Sequence, residues 1–132
     1  MTTLTTAQQI SNCRLFLECW DRVPPEEVIP ELEYWSSSRP TDCGALHCAG
    51  GWLPHFPEFR ALGVYEEKTG APAMQETMDR PYCYGWELAG YLFNSEVLFD
   101  RRGYTESPDL SDHAVVRRRF VLHISSLESS TL

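Results

Sequence analysis

The chain has 132 residues, of which 42% are hydrophobic and 12% aromatic, and its 19 acidic residues outnumber 11 lysines and arginines to give a net charge of -8. This length fits one compact domain, and the apolar content excludes a chain that is disordered throughout. The negative charge argues against direct binding of nucleic acid and against binding to an anionic membrane surface.

The first predicted element is a helix from about Ala7 to Val23. Thr6 and Gln9 have the spacing of a capping box, in which a side chain and the backbone satisfy each other's free N–H groups. Apolar residues then recur at helical steps and form one stripe: Ile10, Cys13, Phe16, Leu17 and Trp20. Pro24 and Pro25 follow, and they end the helix because proline lacks the N–H group.

Short helices are predicted for the middle of the chain. One begins near Cys43, behind Asp42 as its cap, and the glycine pair 50–51 ends it. A helical turn is expected over 57–62. The segment 66–81 has little periodicity and contains Gly and Pro, so it is predicted to be a mobile surface loop.

The remaining predicted elements are helical as well. A helix is expected over 82–93, with a break at Asn94, and a short helix over 95–99. The last helix begins at Ser111 and Asp112, and the tail 128–132 is expected to fray. One stripe follows this helix: Val116, Phe120, His123, Ile124 and Leu127. The prediction is a single all-α domain over residues 1–132, with two longer terminal helices and several short central ones.

The order of several features resembles a group of small bacterial and phage proteins. The resemblance rests on the signature Cys43-Gly44-x-x-x-Cys48-x-Gly50-Gly51-Trp52, on Leu98-Phe99-Asp100, and on the Ser-Asp-x-x-Val-x-x-Arg start of the last helix. Ala45 stands where the signature favours Thr, and Gly50 where it favours Ala. The resemblance implies a small helical fold in a phage or prophage setting, and it implies no catalytic residue.

Four residues have the chemistry of a zinc site, namely Cys43, His47, Cys48 and His55. Thiolates and imidazoles are ligands of tetrahedral zinc, and Cys43 and His47 share one face of a helix. The other interpretation is that the cysteines are small packing residues. Five cysteines cannot all pair within one chain, and no secretory signal is visible, so a reducing cytoplasm of a bacterial host cell is expected.

An acidic run near one end is the candidate for partner binding: Glu18, Asp21, Glu26, Glu27, Glu31 and Glu33. A charge run of this kind is usually a solvated face, but it can also present carboxylates to a basic surface. We therefore predict a non-enzymatic acidic protein without a cofactor, which occupies a basic surface of a host protein, with nucleic-acid mimicry as one form of this.

Two alternatives remain open at this point. One is a zinc-binding or thiol-dependent protein centred on Cys43, His47 and Cys48. The other is a structural module that self-associates through one of its tryptophans, namely Trp20, Trp35, Trp52 or Trp86. The expected state is a monomer or a weak homo-oligomer.

Overall fold

The computed structural model describes residues 4–24, 49–68, 71–99 and 109–130. Its elements follow in chain order: α1 (Thr6–Trp20), α2 (Ala49–Trp52), a 3-10 turn (Leu53–His55), α3 (Pro57–Ala61), β1 (Val64–Glu66), β2 (Pro72–Met74), β3 (Cys83–Tyr84), α4 (Trp86–Phe93) and α5 (Asp112–Ser130).

The prediction of an all-α fold is wrong, because helices and a three-stranded antiparallel sheet share this domain. The strand order is β1-β2-β3, with Tyr65 opposite Ala73 and Ala73 opposite Tyr84. Each strand has only two or three residues, which is too short for the alternation by which a strand is recognised in a sequence. Strand β2 has Pro72 as its first residue, a position that a strand tolerates.

The segment predicted as a loop over 66–81 contains β2 and most of the turn that leads to β3. Thr77 and Arg80 exchange two backbone hydrogen bonds, at 2.7 and 3.3 Å, and close a hairpin around Met78 and Asp79. This pairing gives residues 77–80 a defined backbone path. The mobility expected of the segment 66–81 stays a prediction.

Helix α1 confirms the first predicted helix but begins one residue earlier. Its capping box is formed by Thr5 and Gln8, not by Thr6 and Gln9. The Gln8 N–H donates to the Thr5 hydroxyl at 3.1 Å, and the Gln8 side chain accepts from the Thr5 N–H at 2.8 Å. Both pairs of residues have a spacing of three, so the sequence pattern allowed either register.

The core is centred on Phe16 of α1, which is fully buried. Its ring stacks on Trp20 with centroids 5.4 Å apart and on Phe120 of α5 with centroids 4.2 Å apart. Four further rings meet it edge-on: Phe56, Phe59, Phe93 and Phe99. One side chain thus joins α1 to α3, α4 and α5, and aromatic contacts of this kind stabilise beyond the area that they bury.

The remaining predicted helices agree with the structure in part. Helix α2 continues through Gly50 and Gly51 to Trp52, so the glycine pair does not end it. Helix α4 ends at Asn94 as expected, in a left-handed conformation with φ 61°. Residues 95–99 form bends and a turn, so the short helix predicted there is wrong. Ser111 caps α5 as predicted, since its hydroxyl accepts from the Ala114 N–H at 3.1 Å.

Candidate functional site

A groove of about 680 Å³ lies between the hairpin, α4 and the chain that follows α4. Its polar and aromatic lining includes Arg80, Tyr82, Cys83, Glu87, Tyr91 and Glu96. This volume falls within the range of sites that bind small molecules or peptide side chains, roughly 300–1,000 Å³. We take this groove as the candidate site.

Two turns of the backbone bring the walls of the groove together. Gly85 has φ 60° and ψ -129°, a conformation that essentially only glycine adopts, and it turns the chain from β3 directly into α4. Beyond α4, the chain returns over the helix and lays Glu96 against Gly90. A Cβ atom at Gly90 would be 3.0 Å from Glu96 Cγ, so the missing side chain makes room for this carboxylate-bearing residue.

Arg80 is held in the wall by contacts within the domain. Its Nη2 donates to the Gln75 carbonyl at 2.8 Å, and its guanidinium lies 5.8 Å from the centroid of the Tyr91 ring. A cation over an aromatic face is attracted by the electrons of the ring. Neither contact neutralises the guanidinium, so Arg80 keeps its positive charge beside Glu87 and Glu96, and these two carboxylates make the net charge of the lining negative.

Cys83 is buried in the groove wall beside these charges. Burial raises the pKa of its thiol, while the positive charge of Arg80 lowers it to a smaller extent. The thiolate is the reactive form of cysteine, so a raised pKa leaves this residue as a weak nucleophile. The arrangement favours binding over thiol chemistry.

Three aromatic residues follow one another at alternate positions, beginning with Tyr82 in the groove lining, and we call them the aromatic edge: Tyr82, Tyr84 and Trp86. They are 40%, 47% and 39% exposed, whereas Cys83 and Gly85 between them are buried. The Tyr82 and Tyr84 rings lie 5.8 Å apart between centroids, tilted by 31°. The Tyr82 hydroxyl donates to Glu67 Oε2 at 2.6 Å, and this bond raises the pKa of Tyr82.

The predicted acidic run is only partly within the described residues. Glu18 is exposed on α1. Asp21 is exposed as well, but its carboxylate accepts from Arg117 Nε of α5 at 2.9 Å. The other members lie outside the described residues: Glu26, Glu27, Glu31 and Glu33. Their role in partner binding stays a prediction.

Of the four predicted zinc ligands, only His55 lies within the described residues. Cys43, His47 and Cys48 lie outside the described residues, and His55 is exposed, with its Nε2 3.5 Å from Glu66 Oε2. Within the described ranges, no group of three or more His, Cys, Asp or Glu side chains is placed to hold a metal ion. The zinc site therefore stays a hypothesis about residues 43–48.

The three cysteines in the described residues are free and buried: Cys13, Cys19 and Cys83. This confirms, for these three, the interpretation of cysteine as a small packing residue. Of the tryptophans proposed for self-association, Trp20 is fully buried and Trp52 packs against the core. Trp35 lies outside the described residues, so Trp86 is the exposed candidate among those that the structure describes.

The groove and the aromatic edge are not among the sites predicted from the sequence. The available signal was the alternation of large aromatic and small residues over 82–86, which is typical of a short strand with one exposed face. The sequence nevertheless predicts the start of a helix here, because the helical pattern of α4 follows immediately. Arg80 and Glu96 give no such signal, since only the hairpin and the turn after α4 bring them together.

The fold and the site define a small mixed α/β domain with a partly acidic groove bordered by exposed aromatic side chains. Comparisons of the chain with protein-family models, with curated proteins and with solved structures find no match in any of the three. In the described part of the chain, no helix combines the length and apolar character that crossing a membrane requires.

Proposed function

We propose that the protein is a non-enzymatic binding protein that occupies a basic surface of a partner protein. The observation that carries this proposal is the aromatic edge beside the carboxylates of Glu87 and Glu96. Exposed aromatic side chains are enriched at protein interfaces because they bury a large area at a low cost in conformational entropy. Carboxylates at the same place select a cationic partner and increase its rate of association.

The net charge of -8 supports the same conclusion at longer range. A strongly acidic protein attracts basic partners before contact, and this attraction weakens as salt screens it. The predicted acidic run would add carboxylates to this attraction. The host protein as partner, a bacterial cytoplasm and a phage setting belong to the proposal. The host partner and the phage setting rest on the sequence resemblance, and the cytoplasm rests on the odd number of cysteines.

The chemistry of the groove supports binding over catalysis. Its cysteine has a raised pKa, and its arginine is engaged by Gln75 and Tyr91. An enzyme that uses a cysteine nucleophile needs a lowered thiol pKa or an adjacent base.

The experiment is capture from a bacterial lysate by the immobilised full chain, with three charge variants analysed side by side. Glu87→Lys reverses a charge in the groove, and the fourfold change of Glu26, Glu27, Glu31 and Glu33 to Lys reverses the acidic run. Glu128→Lys is the control for the single change, because it alters the net charge equally on α5, where Glu128 pairs with Arg14.

We expect the unmodified chain to capture a partner protein. The amount captured by Glu87→Lys should be lower by about tenfold or more, whereas Glu128→Lys should capture as much as the unmodified chain. The sequence prediction requires the fourfold variant to lose the partner as well. A partner that all four chains capture equally contradicts the proposal, and so does the absence of any salt-sensitive partner.

A further inference from the structure

The sheet has one edge beside the groove. Strand β2 is central, and β1 and β3 are the two edge strands. Tyr82 and Cys83 belong to the groove lining, so this edge opens next to the lining carboxylates. An edge strand presents backbone groups that can pair with another chain.

The register shows which backbone groups these are. The Gly85 N–H donates to the Pro72 carbonyl at 2.9 Å, so residues 72 and 85 form a hydrogen-bonded pair. Hydrogen-bonded and non-hydrogen-bonded pairs of residues alternate along an antiparallel ladder. The next pair, Ala73 and Tyr84, is therefore a non-hydrogen-bonded pair. The N–H and C=O of Tyr84 consequently point away from β2. Among the described residues, no hydrogen bond reaches these two groups.

The side chains around this position suit a cation. Tyr84 and Tyr82 present two aromatic rings to solvent, and the Tyr82 hydroxyl is already bonded to Glu67. A guanidinium or ammonium group gains from contact with aromatic faces and with carboxylates. Glu87 and Glu96 lie in the adjoining groove, so a cationic side chain can reach a negative charge there.

Resting on the proposed function, we propose that the partner contributes an extended segment that bears arginine or lysine and pairs with the outer edge of β3 at Tyr84. The backbone of this segment bonds to the Tyr84 N–H and C=O, as in other cases of strand addition. Its side chains on one face lie against Tyr82 and Tyr84. Its basic side chains reach the carboxylates of Glu87 and Glu96.

A second copy of this chain fits the edge poorly. Pairing two β3 edges would bring together two copies of Glu67, Glu87 and Glu96 on molecules that each carry a net charge of -8. Like charges across a pairing edge oppose association, and short edge strands with charged side chains beside them are a common means of preventing it. The charge therefore selects a cationic segment over self-pairing.

The test uses the isotope-labelled full chain and a synthetic peptide of alternating arginine and threonine as the probe, followed by NMR. We expect shifts concentrated over residues 82–97, with a dissociation constant below about 1 mM. A control peptide has the same sequence but is N-methylated at alternate residues along one edge. It keeps the charge, but its backbone cannot donate hydrogen bonds from that edge. It should bind about tenfold more weakly.

A matched pair of variants isolates the backbone bond. Tyr84→Val and Tyr84→Pro both remove the ring, but only proline removes the N–H, and this N–H makes no bond to β2. Circular dichroism and urea unfolding establish that both variants are folded. We expect Tyr84→Pro to bind the peptide about tenfold more weakly than Tyr84→Val. Glu87→Gln should weaken binding as well, with Glu128→Gln as its control.

The outcomes separate this inference from the proposed function. Equal binding by Tyr84→Pro and Tyr84→Val, or shifts located on α5, overturns pairing at the edge. So does an absence of shifts at about 1 mM peptide. In each of these cases, loss of the lysate partner by Glu87→Lys still supports the proposed function. If all the charge variants also capture the lysate partner as well as the unmodified chain does, the proposed function falls too.

Discussion

Trp20 and His113 are joined by two reciprocal hydrogen bonds and by stacking of their rings. The Trp20 Nε1 donates to the His113 carbonyl at 2.9 Å, and the His113 Nε2 donates to the Trp20 carbonyl at 2.8 Å. The ring centroids are 4.6 Å apart, with the planes 8° from parallel. Because a carbonyl only accepts, His113 must carry its proton on Nε2. The pair joins the end of α1 to the first turn of α5.

Replacing either member should therefore lower the stability of the domain. We expect Trp20→Phe to lower the free energy of unfolding by about 1–3 kcal/mol, since it leaves the His113 carbonyl without its donor. His113→Phe keeps a ring for stacking and should cost about 1 kcal/mol. Urea unfolding measures both. Leu122→Ala, at a site 59% exposed on α5, is the control and should change stability by less than about 0.5 kcal/mol.

The buried thiols should make stability fall at alkaline pH. Burial raises the pKa of Cys13 from 9.0 to about 12. The unfolded chain therefore releases this proton first, so stability is fully present below about pH 9 and declines as the pH rises towards 12. The decline attributable to one thiol is at most about 1.4 kcal/mol per pH unit.

Urea unfolding in the presence of a reductant, at a series of pH values, measures this decline. Cys13→Ala should reduce the slope above about pH 9, although the smaller side chain also lowers stability at neutral pH. The same slope in both proteins would contradict the assignment to Cys13. It would leave Cys19 and Cys83, whose pKa values burial also raises, as the remaining thiols.

Gly85 should be the glycine on which the candidate site depends. Gly85→Ala places a side chain on a backbone with φ 60° and ψ -129°, and we expect a loss of about 1–3 kcal/mol. The change should also weaken binding at the groove, because this residue sets β3 against α4. Measurement combines urea unfolding with the peptide titration.

Gly90→Ala is the control for the effect on stability alone, since Gly90 lies within α4 but also lines the groove. There the new Cβ meets only the flexible side chain of Glu96, at 3.0 Å. We expect stability to rise by up to about 1 kcal/mol from helix propensity, provided that Glu96 moves aside. A Gly85→Ala variant as stable as the unmodified protein would refute the role given to the turn.

Asp21 should contribute less to partner binding than Glu18. Its carboxylate is engaged by Arg117, whose pKa this hydrogen bond raises. Asp21→Asn should change stability by less than about 1 kcal/mol, because exposed ion pairs contribute little. Lysate capture by Asp21→Asn and Glu18→Gln compares the two directly, and a larger loss with Asp21→Asn would contradict this ranking.

The sequence by itself determined the long terminal helices and the position of their buried faces. Residues recurring at helical steps, such as Phe16 and Phe120, must lie on one side of a helix, and in the structure both enter the core. The caps were predicted to within one residue, because a capping box at Thr5 or at Thr6 satisfies the same spacing. The acidic composition likewise predicts, without any structure, that the protein does not bind nucleic acid directly.

Only the tertiary structure decided the sheet and the groove. Strands of two or three residues have too little pattern of their own, and they form here because hairpin pairing and burial against the helices stabilise them together. Arg80, Glu87 and Glu96 meet through the turns at Gly85 and Asn94. The local sequence indicates the backbone conformation that each turn prefers, but it does not show which residues the turn brings into contact. Composition determines the net charge of the protein. Only the fold determines where carboxylates lie close to exposed aromatic side chains.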